Sequence, residues 1–170
     1  MNVFGDKKFS KIFVNGYGSV SFDMYQLAII DSQTFTEANL HKIIIAPWWA
    51  AVSTPIVKVE PNGIGTDDAV VNNWISSQTE ISFTATTLFT VTWIDQTTTA
   101  SPSDPKTFQV VLASDGYFSF AIFSYENGQP TWTADDDGMT PISGILTHHR
   151  RSYLCLKTEL TTDKDFSVNI

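Results

Sequence analysis

The sequence predicts a mostly β protein, an antiparallel β-sandwich-like domain with one short helix. Two runs rich in β-branched and aromatic residues, 107–114 and 117–125, flank Asp115-Gly116, a pattern typical of a β-hairpin. Charged residues make up only 16% of the 170 residues, whereas 5 Trp, 5 Tyr and 12 Phe are spread along the chain. This composition favours packed sheets over a helical bundle or a disordered chain. The helix is predicted at about 67–77, where apolar residues recur at helical spacing.

The predicted hairpin defines the centre of the fold. If Asp115-Gly116 forms a two-residue loop, Ser114 and Tyr117 close it, and the strand register follows. The pairs expected opposite each other are Leu112 with Ser119, Val110 with Ala121, and Phe108 with Phe123. Both faces of the hairpin are largely apolar, so it should lie in the middle of a sheet and be covered on both sides. The residues expected to be largely buried are Trp93, Phe108, Val110, Phe120 and Ile122.

The N-terminal part of the chain is predicted to form strands. Lys11–Phe22 should contain two strands joined by a turn at Asn15-Gly16, where a positive φ angle costs little. Gly18 indicates a bulge. Lys42–Val52 is predicted as a buried strand, and Pro47 should bend or end it because proline cannot donate a ladder hydrogen bond.

The middle of the chain combines strand and helix patterns. Val57–Ile64 is predicted as a short strand and a turn, after which Thr66 or Asp67 should cap the helix. The apolar residues that fall on one face of this helix are Val70, Val71, Trp74 and Ile75. From Glu80 to Ile94 the pattern has period two, which predicts a half-buried strand. Residues 97–105, TTTASPSDP, are a loop by composition.

Four sequence blocks together resemble one domain family. They are VNGYGSVSF at 14–22, IAPWWAAV at 45–52, TVTW at 90–93 and the hairpin TFQVVLASDGYFSFAIFSY at 107–125. In this order and spacing they resemble the NIDO domain, an extracellular module of matrix and cell-surface proteins such as nidogens, tectorins and some membrane mucins. The resemblance implies a single domain over residues 1–170. It also implies a non-catalytic role in adhesion or matrix assembly, with other extracellular or structural proteins as partners.

Charge and cysteine content narrow the classes of function. The formal net charge is −8, and the only basic cluster is His148–Arg151, which disfavours nucleic acid as a partner. The single Cys155 cannot form an internal disulfide and is predicted to be a small buried residue. The residues after Met1 lack the pattern of a signal peptide, and no apolar stretch is long enough to span a membrane. The resemblance implies an extracellular or cell-surface location within a larger secreted protein; a complete chain that acts where it is made is the alternative.

Few residues are candidates for chemistry. Asp135, Asp136 and Asp137 precede a glycine, as calcium ligands in a loop would, but the ligand spacing and distant glutamate of an EF-hand are missing. A solvated turn with at best weak calcium binding is therefore predicted there. His148-His149 lacks an evident third metal ligand, since neighbouring side chains on a strand point to opposite faces. No nucleophile elbow, zinc-binding helix or phosphate-binding loop occurs, so neither a catalytic residue nor a cofactor is predicted.

Partner binding is predicted at aromatic, loop and edge positions. Trp48 and Trp49 are neighbours on a predicted strand, so one indole should face the core while the other is covered or left exposed. Burial of both is the favoured prediction; an exposed indole that grips a protein or a sugar is the alternative that makes the pair a binding candidate. The loop candidates are Thr97, Thr98, Thr99, Asp135 and Asp137. A sheet edge is a further candidate. Two other functions stay open: a free-standing structural subunit of a virion, filament or surface layer, and a glycan-binding module.

Overall fold

A computed structural model of the chain describes residues 9–22, 43–50, 56–61, 66–98, 101–126, 142–146, 155–160 and 166–167. The strands within these ranges are β1 (Phe13–Asn15), β2 (Ser19–Ser21), β3 (Ile44–Trp49), β4 (Ile56–Pro61), β5 (Thr87–Gln96), β6 (Lys106–Ser114), β7 (Ser119–Glu126), β8 (Ile142–Leu146), β9 (Cys155–Leu160) and β10 (Phe166–Ser167). The helix is α1, Thr66–Thr79, which includes and slightly exceeds the predicted range.

The strands form two sheets. One has four strands in the order β1-β2-β3-β8, and the other has six in the order β10-β9-β7-β6-β5-β4. The described pairings are antiparallel except that of β7 with β9, which is parallel. Between these two strands the chain passes through β8 in the other sheet, a crossover that hairpin patterns do not predict. The predicted β-sandwich-like fold with one helix is confirmed, with this parallel pair as the departure.

A cluster of buried side chains joins the two sheets. Trp93 and Phe108 stack within it, with ring centroids 5.4 Å apart. Three hydrogen bonds between described residues also cross from sheet to sheet. Trp93 Nε1 donates to the Asn15 carbonyl at 2.9 Å, Tyr125 Oη donates to the Pro47 carbonyl at 2.8 Å, and Tyr125 Oη lies 3.2 Å from Ser143 Oγ. The residues predicted to be buried are all buried: Trp93, Phe108, Val110, Phe120 and Ile122.

The four sequence blocks meet at these cross-sheet contacts. Asn15 belongs to the first block, Pro47 to the second, Trp93 to the third and Tyr125 to the hairpin. Two of the three cross-sheet hydrogen bonds therefore link one block to another. The blocks therefore contribute to the contacts that hold the two sheets together.

The β6–β7 hairpin forms where predicted, but its predicted register is wrong by two residues. The observed pairs are Ser114 with Ser119, Leu112 with Ala121, Val110 with Phe123, and Phe108 with Tyr125. Asp115 and Phe118 close the turn, with the Asp115 N–H donating to the Phe118 carbonyl at 3.3 Å. Gly116 is then the first central residue, and its φ of 99° is what a type II′ turn requires there. Because the displacement is an even number, every residue keeps its predicted face.

Helix α1 covers the outer face of the six-stranded sheet. Its residues Val71 and Ile75 pack with Phe83, Phe120 and Ile122 in a second buried cluster. The hairpin is thus covered on both faces, as predicted. Val70, which was predicted to share the apolar face of the helix, is exposed instead, because Val71 and Ile75 take the positions that point towards the sheet.

Strand β5 begins at Thr87, later than predicted, because the preceding segment bonds to the helix. The Phe83 N–H donates to Ser76 Oγ at 3.1 Å, and the Ala85 N–H donates to Asn72 Oδ1 at 2.9 Å. These backbone groups would otherwise be available to a sheet ladder. Side chains of α1 therefore define where the strand can start.

Gly18, rather than the predicted Gly16, has the positive φ angle in the β1–β2 turn. Its φ is 90°, and its N–H donates to the Asn15 carbonyl at 3.2 Å. The Asn15 side chain also accepts a hydrogen bond from the Tyr17 N–H, with 3.0 Å between Oδ1 and N. A Cβ atom on Gly18 would overlap the carbonyl oxygen of Trp48. Glycine therefore permits both this turn and the close approach of β3.

Pro47 lies inside β3 and disturbs its pairing. The register between β3 and β8 shifts between Ala46 and Trp49, on either side of the proline. The proline therefore disturbs the ladder but does not end the strand, which continues to Trp49.

Candidate interaction surface

The tip of the β6–β7 hairpin exposes two neighbouring aromatic side chains. Tyr117 is 92% exposed and Phe118 is 47% exposed. Most large apolar residues in the described ranges are buried in the two clusters instead. Tyrosine and phenylalanine offer a large contact area at a low cost in side-chain entropy, which is why neighbouring exposed aromatics mark contact surfaces. Tyr117 and Phe118 are called the aromatic tip below.

Hydrogen bonds within the turn hold the aromatic tip in place. The Asp115 carboxylate oxygen Oδ1 accepts from the N–H of Tyr117 at 2.8 Å and from the N–H of Phe118 at 2.7 Å. Ser114 Oγ donates to the Phe118 carbonyl at 3.0 Å and accepts from the Gly116 N–H at 3.2 Å. A turn held in this way loses little backbone freedom when a partner binds, so less of the binding free energy is spent on ordering it.

The aromatic tip continues a row of rings that begins in the core. Phe83 and Phe120 contact edge to face, with ring centroids 5.0 Å apart and planes at 87°. Phe118 lies next to Phe120, with 6.5 Å between the ring centroids. Buried neighbours therefore support Phe118 on one side, while its exposed part faces solvent. Such support from packed residues makes a contact surface rigid.

The sequence prediction named neither residue of the aromatic tip as a binding candidate. It placed Asp115-Gly116 at the centre of the loop, which made Tyr117 a strand residue at the closing pair. A type II′ turn with Gly116 first puts Tyr117 at the second central position, where a side chain has no cross-strand neighbour. The informative pattern was therefore the two aromatics that directly follow Asp115-Gly116.

Both tryptophans of the predicted candidate pair are buried. Trp48 is 8% exposed and Trp49 is 3% exposed. Trp48 packs in the cluster between the sheets, whereas Trp49 packs with Ile44 and Ala46 on the opposite face of the four-stranded sheet. The favoured prediction that both indoles are buried is confirmed. Neither indole offers the exposed face that partner binding at this pair required.

The predicted loop candidates fall partly outside the described residues. Thr98 is buried, and its Oγ1 accepts a hydrogen bond from the Ser101 N–H at 3.0 Å, so it serves the loop's own structure. Thr97 is half-buried. The candidates that lie outside the described residues are Thr99, Asp135, Asp136, Asp137 and His148-His149. The side chain of Cys155 is also outside the described part of the structure. Binding or calcium coordination by these residues stays a prediction.

Two properties of the described residues bear on the kind of site they can form. Within the ranges that the structure describes, no three His, Cys, Asp or Glu side chains come close enough together to hold a metal ion. None of the described helical residues form a segment that is both long and apolar enough to cross a membrane. The aromatic tip offers apolar area, and the nearby Asp115 carboxylate is already hydrogen-bonded to the turn.

Comparison with known proteins places these features in context. The family model described as a nidogen-like domain matches residues 10–148. Alpha-tectorin of Mus musculus is 30% identical over 146 residues, which cover 79% of this chain and 7% of that protein. Alpha-tectorin of Homo sapiens is 29% identical over 146 residues, and that of Gallus gallus is 28% identical over 157 residues. The chain thus spans 7% of the length of these relatives. No solved structure matches the chain significantly.

Proposed function

The chain belongs to the nidogen-like (NIDO) domain family, and on this premise we propose that it is a non-catalytic module that binds a protein partner in the extracellular matrix. The aromatic tip is the surface that we assign to this partner. Adhesion or matrix assembly is the role that such binding would serve. A single domain is part of the proposal, since one buried cluster joins both sheets.

The observation that carries the proposal is the exposure of Tyr117 and Phe118 on a turn held by hydrogen bonds. An aromatic side chain that becomes buried in an interface removes roughly 150–250 Å² from water. Residues of this kind at the centre of an interface typically cost at least about 2 kcal/mol of binding free energy when truncated. The family relationship supports a protein partner, and Asp115 is the one charged residue of the described turn 114–119, which fits apolar contact.

Binding of the purified chain to matrix deposited by cultured cells tests the proposal. The double substitution Tyr117→Ser and Phe118→Ser removes the aromatic tip and leaves Asp115 and Gly116 of the turn unchanged. The matched control is Val70→Ser, which removes an exposed apolar side chain from α1. We expect the tip variant to bind about tenfold more weakly or worse, since 1.4 kcal/mol corresponds to about a factor of ten. The control should bind like the original chain.

Pretreatment of the matrix separates a protein partner from a glycan. Protease treatment should abolish binding, whereas enzymes that remove glycans should leave it intact. Circular dichroism and thermal melting of each variant establish that it is folded. The proposal is wrong if the folded tip variant binds as well as the original chain, or if removal of glycans alone abolishes binding.

A further inference from the structure

We propose that two copies of this chain pair edge to edge through β4, antiparallel, about a two-fold axis at Val59. The six-stranded sheets of the two copies would then join into one continuous sheet. This goes beyond the proposed function, because β4 is a different surface from the aromatic tip and its pairing does not require Tyr117 or Phe118. The second copy, rather than an unrelated protein, is favoured by the charge pattern of β4.

Strand β4 is the last strand of its sheet. It pairs with β5 from Ile56↔Ile94 to Pro61↔Phe89, and no further described strand lies beyond it. An edge strand presents backbone N–H and C=O groups that can pair with another strand. Two apolar side chains of β4 are also exposed, Ile56 by 56% and Val59 by 43%. A second copy would cover part of this apolar area.

The direction of the backbone groups follows from the contacts of Ile56. Its carbonyl accepts a hydrogen bond from Gln96 Nε2 at 3.1 Å, so it points towards β5. Backbone groups alternate in direction along a strand, and therefore those of Val57, Val59 and Pro61 point away from β5. Proline lacks an N–H and is tolerated at edge positions that face away from the ladder, which agrees with this assignment.

A two-fold axis at Val59 pairs the outward backbone groups of that residue. Val59 would lie opposite Val59 of the second copy and exchange both backbone hydrogen bonds with it. Val57 would lie opposite Pro61 of the second copy, but proline has no N–H and its Cδ atom would meet the Val57 carbonyl, so the two strands part at this pair. The backbone pairing is therefore confined to the two hydrogen bonds that Val59 exchanges at its centre.

The charges of β4 select the same register. Lys58 and Glu60 are both exposed, and they lie on the same face because Lys58 Nζ is 3.0 Å from Glu60 Oε1. With the axis at Val59, Lys58 lies opposite Glu60 of the second copy, twice in each dimer. Moving the axis to either neighbouring residue of that face would oppose Lys58 with Lys58 or Glu60 with Glu60, which is repulsive. Only the register centred on Val59 is complementary in charge.

The pairing should be weak and dependent on concentration and salt. A strand of six residues, Ile56–Pro61, buries much less than the roughly 1,600 Å² of a standard stable interface. Exposed ion pairs are also screened at high ionic strength. The association therefore belongs to the transient class, and it would matter where many copies are held close together.

Sedimentation of the full chain measures the association directly. The experiment uses low salt and protein concentrations that increase to about 1 mM, because a dissociation constant of that size is typical of weak binding. We expect dimers whose fraction increases with the protein concentration. Lys58→Glu and Glu60→Lys each replace both attractive pairs by repulsive ones, so each should weaken self-association about tenfold or more. Val59→Pro removes the central N–H donor without a change in charge and should also leave a monomer.

Mixing the two charge variants provides the decisive result. The variant with Lys58→Glu carries two acidic side chains on this face of β4, and the variant with Glu60→Lys carries two basic ones. Every cross-strand pair between the two variants therefore joins opposite charges, so the mixture should form a heterodimer although neither chain pairs with itself. The matched control is the tip variant with Tyr117→Ser and Phe118→Ser, which should dimerise like the original chain.

Two results would overturn the pairing. One is an original chain that stays monomeric at the highest concentration, and the other is a mixture of the charge variants that shows no gain over the separate chains. Either result leaves binding at the aromatic tip unaffected, so failure of this inference is distinct from failure of the proposed function. Thermal melting of each variant, whose changes lie on exposed side chains, establishes that it is folded.

Discussion

Gly18 is a position at which the fold leaves no room for a side chain. Its φ is 90°, and a Cβ atom would overlap the Trp48 carbonyl oxygen. Gly18→Ala should therefore lower the free energy of unfolding by about 3 kcal/mol or more, because steric overlap adds to the strain of a left-handed backbone. Urea unfolding followed by tryptophan fluorescence measures this change.

Gly116 is the matched control for this prediction. Its φ of 99° is similar, but a Cβ atom there would meet no atom within 4 Å. Gly116→Ala should cost only the backbone strain, about 1–2 kcal/mol. Equal losses in the two variants would mean that the contact with Trp48 adds nothing to the requirement for glycine at Gly18.

Phe120 joins helix α1 to the hairpin and is buried against Phe83. Phe120→Ala should lower the free energy of unfolding by about 3–5 kcal/mol, because it removes a large buried ring and leaves a cavity. Phe118→Ala removes the same ring from an exposed position and should change stability by about 1 kcal/mol at most. Denaturant titration of both variants compares them, and similar losses would contradict the burial difference.

At the scale of elements, the Asp115 side chain stabilises the hairpin turn. Asp115→Ala removes the acceptor of two backbone N–H groups and should cost about 1–2 kcal/mol of unfolding free energy. Asp115→Asn keeps a side-chain oxygen that can accept both bonds and should cost much less. Thermal or urea unfolding distinguishes the two, and an asparagine variant as unstable as the alanine variant would contradict the assigned role.

The elements that local patterns predict are those whose determinants lie close together in the sequence. The hairpin, the helix and the irregular pairing around Pro47 are of this kind. The register of the hairpin was not predicted correctly, because the sequence suits a turn centred on Asp115-Gly116 or on Gly116-Tyr117. The hydrogen bonds of the Asp115 carboxylate to the N–H groups of Tyr117 and Phe118 favour the second. The start of β5 likewise depends on Asn72 and Ser76 of the helix, which a strand pattern does not include.

The order of strands in the sheets depends on distant contacts, so the sequence pattern could not supply it. The parallel pairing of β7 with β9 and the placement of β8 in the other sheet follow from the whole sandwich. The residues of the candidate site also depend on contacts that local sequence patterns do not contain. Burial of both Trp48 and Trp49 results from packing on two different faces of one sheet, and the exposure of Tyr117 results from the turn type.

The stability of the whole molecule should not depend on micromolar calcium. If Asp135–Asp137 binds calcium with a dissociation constant of about 1 mM, ions at about 10 µM stabilise the folded chain by only about 0.01 kcal/mol. The melting temperature with about 10 µM calcium should therefore equal that with a chelator. A rise of several degrees, absent in a variant with Asp135→Asn and Asp137→Asn, would contradict this prediction.

The aromatic tip and the β4 edge belong to the same six-stranded sheet, so pairing through β4 determines how the two tips of a dimer are oriented. A two-fold axis normal to the sheet at Val59 reverses the strand direction, so the tips of two paired copies would point in opposite directions. Such a dimer would be a bivalent cross-linker that bridges two separate partners, because its two tips could not chelate adjacent sites on one. Paired copies would therefore lengthen a network rather than tighten a single contact.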